Sequence, residues 1–317
     1  MNDPAELNIV RGEPTLRFER RLAHPPEKVW RAITDPKELA AWFPAAVDYA
    51  EPRPGVPMRF TFPGEAVADG TWAGEVLEVD RPTVFMFRWS HDVLRFELVP
   101  DGTGCRLIFT QTIGGGGIGR LGAARTAVGW EGCLAELAAA LDGTGSGTEG
   151  GFLPRVERYL AEFDLDSGIL AESGDEREIR FARDLVWKPA DEVWSVLVED
   201  AAAAVGERPP VRAFNEHIPA GTVTAVEPPW VLEYSWLHDG APVGRVRWTI
   251  VVDPEFGTRV ELTQTLPRQL TALAPEFLAA WQVHLDLFFA AVHGEVRCGW
   301  PAERVAALTE RYASAVP

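Results

Sequence analysis

Two tetrads of the form Trp-x-His-Asp are the residues here whose types could do acid–base chemistry: Trp89, His91 and Asp92, then Trp236, His238 and Asp239. A histidine oriented by a carboxylate serves as a general base. Adjacent residues on a strand end point to opposite faces, however, so they rarely bond each other. Both tetrads fall where a hairpin turn is due, and aspartate is a common turn residue, so turn chemistry is the favoured reading.

A third histidine, His284, lies on an apolar helical stripe where a related stretch carries Cys133. Such a histidine is either a core residue with one satisfied ring nitrogen or a ligand contact and proton carrier. Gln111 and Gln264 each end the apolar face of a strand, after Leu107 and Phe109 in one case and Val260 and Leu262 in the other. An amide there is a solvated strand end or a polar group that orients a ligand in an apolar pocket. No HExxH or CxxC occurs, and the six histidines are scattered, so no metal or cofactor is expected. GIGRLG (117–122) fits GxGxxG, yet no parallel strand follows it, and the corresponding LPRQLTALAPE (266–276) has no glycine. A dinucleotide site needs that crossover, so the segment is expected to be a flexible loop at a pocket mouth.

The elements that must position these groups come from an internal repeat. Residues 129–141 place Trp130, Cys133, Leu134, Leu137 and Leu141 on one helical stripe, and residues 280–292 repeat it with Trp281, His284, Leu285, Phe288 and Val292. Ahead of each lies a strand (LRFERRL, 16–22; IRFARDLVW, 179–187) and a short helix opened by proline and acidic residues (25–34; 188–197). Then come an alternating strand, with Phe85, Phe87 and Trp89 matched by Leu232, Tyr234 and Trp236, and a β-hairpin (94–112; 246–265). The interval from Trp30 to Val79 is 49 residues and that from Trp194 to Val226 is 32, so the second copy is 17 shorter, about two strands or a strand plus a turn. Between the copies lie DGTGSGTEGG (142–151), flexible by composition, and the acidic ESGDERE (172–178). We expect domains at 12–171 and 172–317, each an α+β unit whose antiparallel sheet is wrapped around a long C-terminal helix.

A chain of 317 residues suits two such domains. The net charge of −17 argues against nucleic acid or an anionic membrane surface as a partner. There is no apolar run long enough for a membrane span and no signal-peptide pattern. Cys105, Cys133 and Cys298 read as reduced thiols, so a cytoplasmic location is expected. Homodimerisation is left open.

Three stretches, PPEKVWRAITDPKELAAWFP, GTWAGEVLEVDRPTVFMFRW and GWEGCLAEL, carry a family resemblance. Together they resemble the activator-of-heat-shock-ATPase-like branch of the START-like (SRPBCC, helix-grip) superfamily; the second copy is a more diverged relative. The resemblance implies two helix-grip domains in tandem, each with a hydrophobic cavity between helix and sheet. On that basis the expected function is binding of a hydrophobic or aromatic small molecule. The expected contacts are Phe87, Trp89, Phe109, Gln111, Trp130 and Cys133 in the first domain, and Tyr234, Trp236, Gln264, Trp281 and His284 in the second. The alternatives are a cyclase, aromatase or hydrolase acting on a polyketide-like substrate, and a co-chaperone-like interaction module with an exposed apolar patch.

Overall fold

A computed structural model describes residues 4–62, 71–145, 151–199 and 203–315. Of the glycine-rich tract expected to be flexible, residues 146–150 lie outside the described residues. Two compact units are found, residues 1–159 and 160–317. The strand Ile169–Ser173 pairs with the strand Glu176–Asp184 in the second sheet.

In the first unit the chain runs β1 (Glu6–Val10), β2 (Glu13–Leu22), α1 (Pro26–Thr34), α2 (Pro36–Leu39), β3 (Ala46–Asp48), β4 (Pro57–Thr61), β5 (Thr71–Asp80), β6 (Val84–Trp89), β7 (Asp92–Asp101), β8 (Gly104–Thr112), α3 (Gly116–Leu121), α4 (Ala123–Asp142) and α5 (Phe152–Glu162). The sheet order is β1-β2-β8-β7-β6-β5-β4-β3, antiparallel throughout. Alternation in the strands sends every second side chain to the helix face. Register then lines these up in rows across the sheet. One row is Phe18, Phe109, Phe96, Phe85 and Val79; the next is Leu16, Gln111, Leu94, Phe87 and Val76. Gln111 is the one polar member of the two rows. The long helix α4 lays its apolar stripe over them and ends at Gly143, which adopts the left-handed conformation that glycine accommodates.

The second unit comprises β9 (Ile169–Ser173), β10 (Glu176–Asp184), α6 (Ala190–Val198), β11 (Ala220–Glu227), β12 (Val231–His238), β13 (Ala241–Asp253), β14 (Gly257–Leu266), α7 (Ala274–Val292) and α8 (Ala302–Ala315). Its order is β11-β12-β13-β14-β10-β9. The rows recur residue for residue: Phe181, Leu262, Trp248, Leu232, Val226, and Ile179, Gln264, Val246, Tyr234, Val223. A register shift follows Val76 in the first sheet and Val223 in the second, so even the irregularity is repeated. The fold is α+β, with two helix-grip units in tandem.

Sheet two has six strands against eight, lacking counterparts of β3 and β4. Main chain from a 3-10 turn, Val211–Ala213, does part of their work. The Ala213 carbonyl accepts from the Tyr234 hydroxyl (2.7 Å) and the Trp248 indole (3.0 Å), and the Arg212 carbonyl lies 2.9 Å from His284 Nε2. Three buried donors are thereby satisfied.

Each unit is also strapped by its last helix. Tyr159 of α5 accepts from the Ala5 amide (2.8 Å) and donates to Glu131 on α4. Tyr312 of α8 accepts from the Gly168 amide (2.9 Å) and donates to Gln282 on α7 (2.7 Å). Both hydroxyls join the chain just before the first strand to the residue that follows the first tryptophan of the long helix. Burial pushes the Tyr159 hydroxyl up to about 12, so it acts as a donor.

One expectation is corrected here. Residues 117–122 are mostly not a loop: Gly117–Leu121 belong to the short helix α3. Gly119 serves close approach, since a Cβ there would stand 1.8 Å from the Gly114 carbonyl oxygen.

Candidate functional site

In the first unit the aromatic residues between sheet and helix meet around Phe43. Its ring centroid lies 5.3 Å from Trp89, 5.7 Å from Trp130 and 6.2 Å from Phe87. Trp130 stands 4.5 Å from Phe109 in the adjoining row. Phe43 lies in the segment between α2 and β3. The neighbouring Trp42 donates its indole N–H to the Ala32 carbonyl at 3.0 Å. Deeper members of the wall, Phe96 and Phe109, are fully buried. Phe43 (7%), Gln111 (5%) and Trp130 (5%) keep a little accessibility, and Trp89 and Cys133 are half-buried.

Polar chemistry at these residues forms a chain. Trp130 donates its indole N–H to Gln111 Oε1; Gln111 Nε2 donates to Asp92 Oδ2; the Gly114 amide donates to Asp92 Oδ1 at 2.8 Å. An indole can only donate, so the Gln111 amide oxygen must face it, and the amide NH2 faces the carboxylate. Asp92 joins the apolar wall to the glycine segment ahead of α3. Gly114 could hardly be another residue, since a Cβ there would meet His91 Cβ at 2.6 Å. Burial holds the Cys133 thiol up at about 11, so it stands as a neutral side chain and not a thiolate.

The second unit places its five expected residues differently. Tyr234, Trp236, Gln264 and Trp281 are fully buried, and His284 is 8% exposed. Trp281 donates to Gln264 Oε1 at 2.7 Å, repeating the first unit, but Gln264 Nε2 has no partner among the described residues. The reason lies opposite the tryptophan that ends the alternating strand. Trp89 faces Asp92 across its hairpin, whereas Trp236 faces Gly244. From Trp89 to Leu94 is 5 residues, and from Trp236 to its row counterpart Val246 is 10. The longer hairpin carries Asp239 out to the turn, where it is 93% exposed, and leaves glycine in Asp92's place. Trp236 turns over that glycine, where a Cβ would stand 2.4 Å from its indole nitrogen, and donates to the Thr265 carbonyl at 2.8 Å. Its indole therefore seals the place where Trp89 stays half open.

His284 shows what that sealing does electrically. Burial pulls its pKa down to about 4, so the imidazole is neutral and donates through Nε2 to the Arg212 carbonyl. No group of three or more His, Cys, Asp or Glu side chains suited to a metal exists among the described residues.

Residues 23–142 match the family described as activator of Hsp90 ATPase homolog 1-like protein. They form an AHSA1-like domain. Solved structures similar to the chain include a conserved protein of unknown function from Enterococcus faecalis (16% identity, TM-score 0.44, covering 50% of this chain and 90% of that one). CalU16 from Micromonospora echinospora is similar at 18% identity (TM-score 0.39, 52% and 98%). A protein from Mesorhizobium loti is similar at 29% (TM-score 0.36, 41% and 98%). No curated protein matches the chain. Among the described residues no helix is long and apolar enough to cross a membrane.

Phe43 and Asp92 join the site residues of the first unit although neither is among the expected contacts. Phe43 belongs to the Trp-Phe-Pro triplet that marked the family resemblance. Asp92 carries a readable signal, because residues 92, 94 and 96 share one strand face, so the parity that points Leu94 and Phe96 inward points Asp92 inward too.

Proposed function

We propose that the first unit binds a hydrophobic, flat small molecule at the open end of its aromatic wall, and that the second unit is a sealed relative that does not. The observation that carries this is the contrast at equivalent positions. Trp89, Gln111 and Trp130 keep accessible surface, whereas Trp236, Gln264 and Trp281 keep none. Burying an aromatic guest there gains roughly 25 cal/mol per Å² of apolar area. Phe43, Trp89 and Trp130 supply ring faces and edges for it. A neutral Cys133 and an amide held in one orientation suit recognition better than nucleophilic attack. The docking-module alternative needs a broad exposed apolar patch. The outer face of sheet one instead carries Arg17, Glu19, Arg95, Glu97 and Arg106 in ion pairs.

The test is a fluorescence titration of the full chain with the neutral probe N-phenyl-1-naphthylamine, alongside native mass spectrometry for a retained molecule. Saturation at one probe per chain is expected. Trp89→Leu should remove a ring face from the half-buried end and weaken binding by tenfold or more. An absence of saturation, or binding unchanged by that substitution, would refute the reading.

A further inference from the structure

The outer face of sheet one carries ion pairs, whereas one end of the second sheet carries exposed apolar side chains. Trp187, Trp230 and Val252 are each about half exposed. The internal repeat shows that the first unit does not share them. The Trp230 carbonyl accepts from the Ile250 amide (2.8 Å), as the Thr83 carbonyl accepts from the Leu98 amide (2.8 Å), so Trp230 stands where the first unit has threonine. Val252 pairs with Thr258 next to the closing pair Asp253–Gly257, as Pro100 pairs with Cys105 next to Asp101–Gly104. Val186 and Trp187 lie between Leu185 and Lys188, where Ala23 alone separates Leu22 from His24.

These side chains follow one another along the sheet end. Trp230 is bonded to β13 at Ile250, Val252 faces Thr258 on β14, and the Thr258 carbonyl accepts from the Leu185 amide (2.8 Å) two residues before Trp187. Trp187 lies against Gly257, where a Cβ would stand 3.4 Å from the indole. Val186 carries it there with a φ of 59°, a left-handed conformation that is costly for a β-branched residue. Strain that holds a tryptophan at the surface recovers little burial energy, which points to use of that surface.

The charge around the patch is acidic. Glu227 and Asp191 are exposed at the β11–β12 turn and the first turn of α6. Asp253 accepts from the Glu255 and Phe256 amides (2.8 and 3.0 Å), which hold its carboxyl below the usual carboxylate range. Lys188 and Arg259 are engaged by Glu192 (3.6 Å) and Glu261 (2.6 Å). Two basic residues of the first unit, Lys28 and Arg81, correspond to Glu192 and Pro228. We infer that this end of the second unit docks a protein segment that is apolar on one face and rich in lysine or arginine. Tryptophans are frequent interface anchors, and their ring faces attract ammonium and guanidinium groups. The acidic rim draws in such a segment and fixes its orientation. A second copy of the chain seated patch to patch would set Glu227, Asp191 and Asp253 against themselves, and an anionic bilayer would meet the same repulsion. Docking here does not depend on binding in the first unit.

The experiment titrates the full chain with a labelled, acetylated peptide of leucine and lysine at amphipathic helical spacing, read by fluorescence anisotropy at physiological salt. The same peptide with glutamate for lysine is the comparison. The lysine peptide should saturate at one per chain, and the glutamate peptide should bind at least about tenfold more weakly. Trp187→Ser with Trp230→Thr should weaken the lysine peptide by about tenfold or more, with a melting midpoint close to that of wild type. Trp230→Thr alone serves if the double variant does not fold. Glu227→Lys with Asp191→Lys should weaken binding several-fold, while Glu13→Lys, the same charge change at an exposed residue of the first unit, should leave it in place. Titration without saturation, equal affinity for the two peptides, or binding that survives loss of both tryptophans overturns the inference. Self-association in sedimentation velocity, or binding to zwitterionic vesicles, that the tryptophan substitutions abolish overturns it in favour of a second copy or a lipid surface.

Discussion

Removing the titratable ring of His284 should change how the second unit responds to acid. Burial among Trp248, Trp281 and the Arg212 carbonyl lowers its pKa from 6.5 to about 4. The unfolded chain therefore takes up a proton at this residue before the folded chain does. Stability from the neutral ring is fully present above pH 6.5 and is lost as pH falls through the window down to about 4. The whole gap is worth about 3 kcal/mol, of which roughly 1.4 kcal/mol is lost by pH 5.5. His284→Gln keeps a donor for the carbonyl and removes the titration. Carboxylates titrate in the same range, but they are common to both proteins, so the difference between wild type and variant isolates the histidine. Urea denaturation followed through tryptophan emission, at pH 7.0, 5.5 and 4.5, should show the wild type losing stability relative to the variant as pH falls. The imidazole resonance should titrate well below 6. Parallel pH dependence in the two proteins, or a histidine titrating near 6.5, would refute the argument.

Two further outcomes follow from the geometry. Tyr312→Phe strands the half-buried Gly168 amide and the buried Gln282 oxygen and should cost about 1–3 kcal/mol, seen as a lower melting midpoint; an unchanged midpoint would mean that the strap contributes nothing. Gly244→Ala forces Trp236 off its seat and out of its bond to Thr265, at a cost of about 1–3 kcal/mol, and should raise quenching of tryptophan emission by acrylamide; unchanged quenching would show that the indole does not depend on the glycine.

How much of the fold is legible in the sequence depends on the range of each signal. Helical stripes and strand alternation are local, so residue spacing alone matches Trp130 to Trp281 and Gln111 to Gln264, and the 17-residue shortfall reads as two strands or a strand plus a turn. The straps are not legible in this way, because Tyr159 meets the Ala5 amide 154 residues away and no local pattern records such a pairing. Strands β1 and β9 are equally hidden. ELNIV and ILAES are short edge strands whose exposed residues include Glu6, Asn8, Ile9 and Ile169, so no face alternates. The two Trp-x-His-Asp tetrads show the limit of motif reading. Identical residues meet opposite fates because a longer hairpin moves one aspartate to the turn and leaves the other inside.

The 3-10 turn at Val211–Ala213 bears on how this chain can drift. It meets the needs of Tyr234, Trp248 and His284 through peptide oxygens, which every amino acid possesses. Replacement of Arg212 by many residue types would leave those oxygens in place, provided the backbone path is kept. Inserting or deleting a single residue between Pro210 and Asn215 would withdraw the oxygens from all three together. At this edge the shortened unit is tolerant of spelling and intolerant of length.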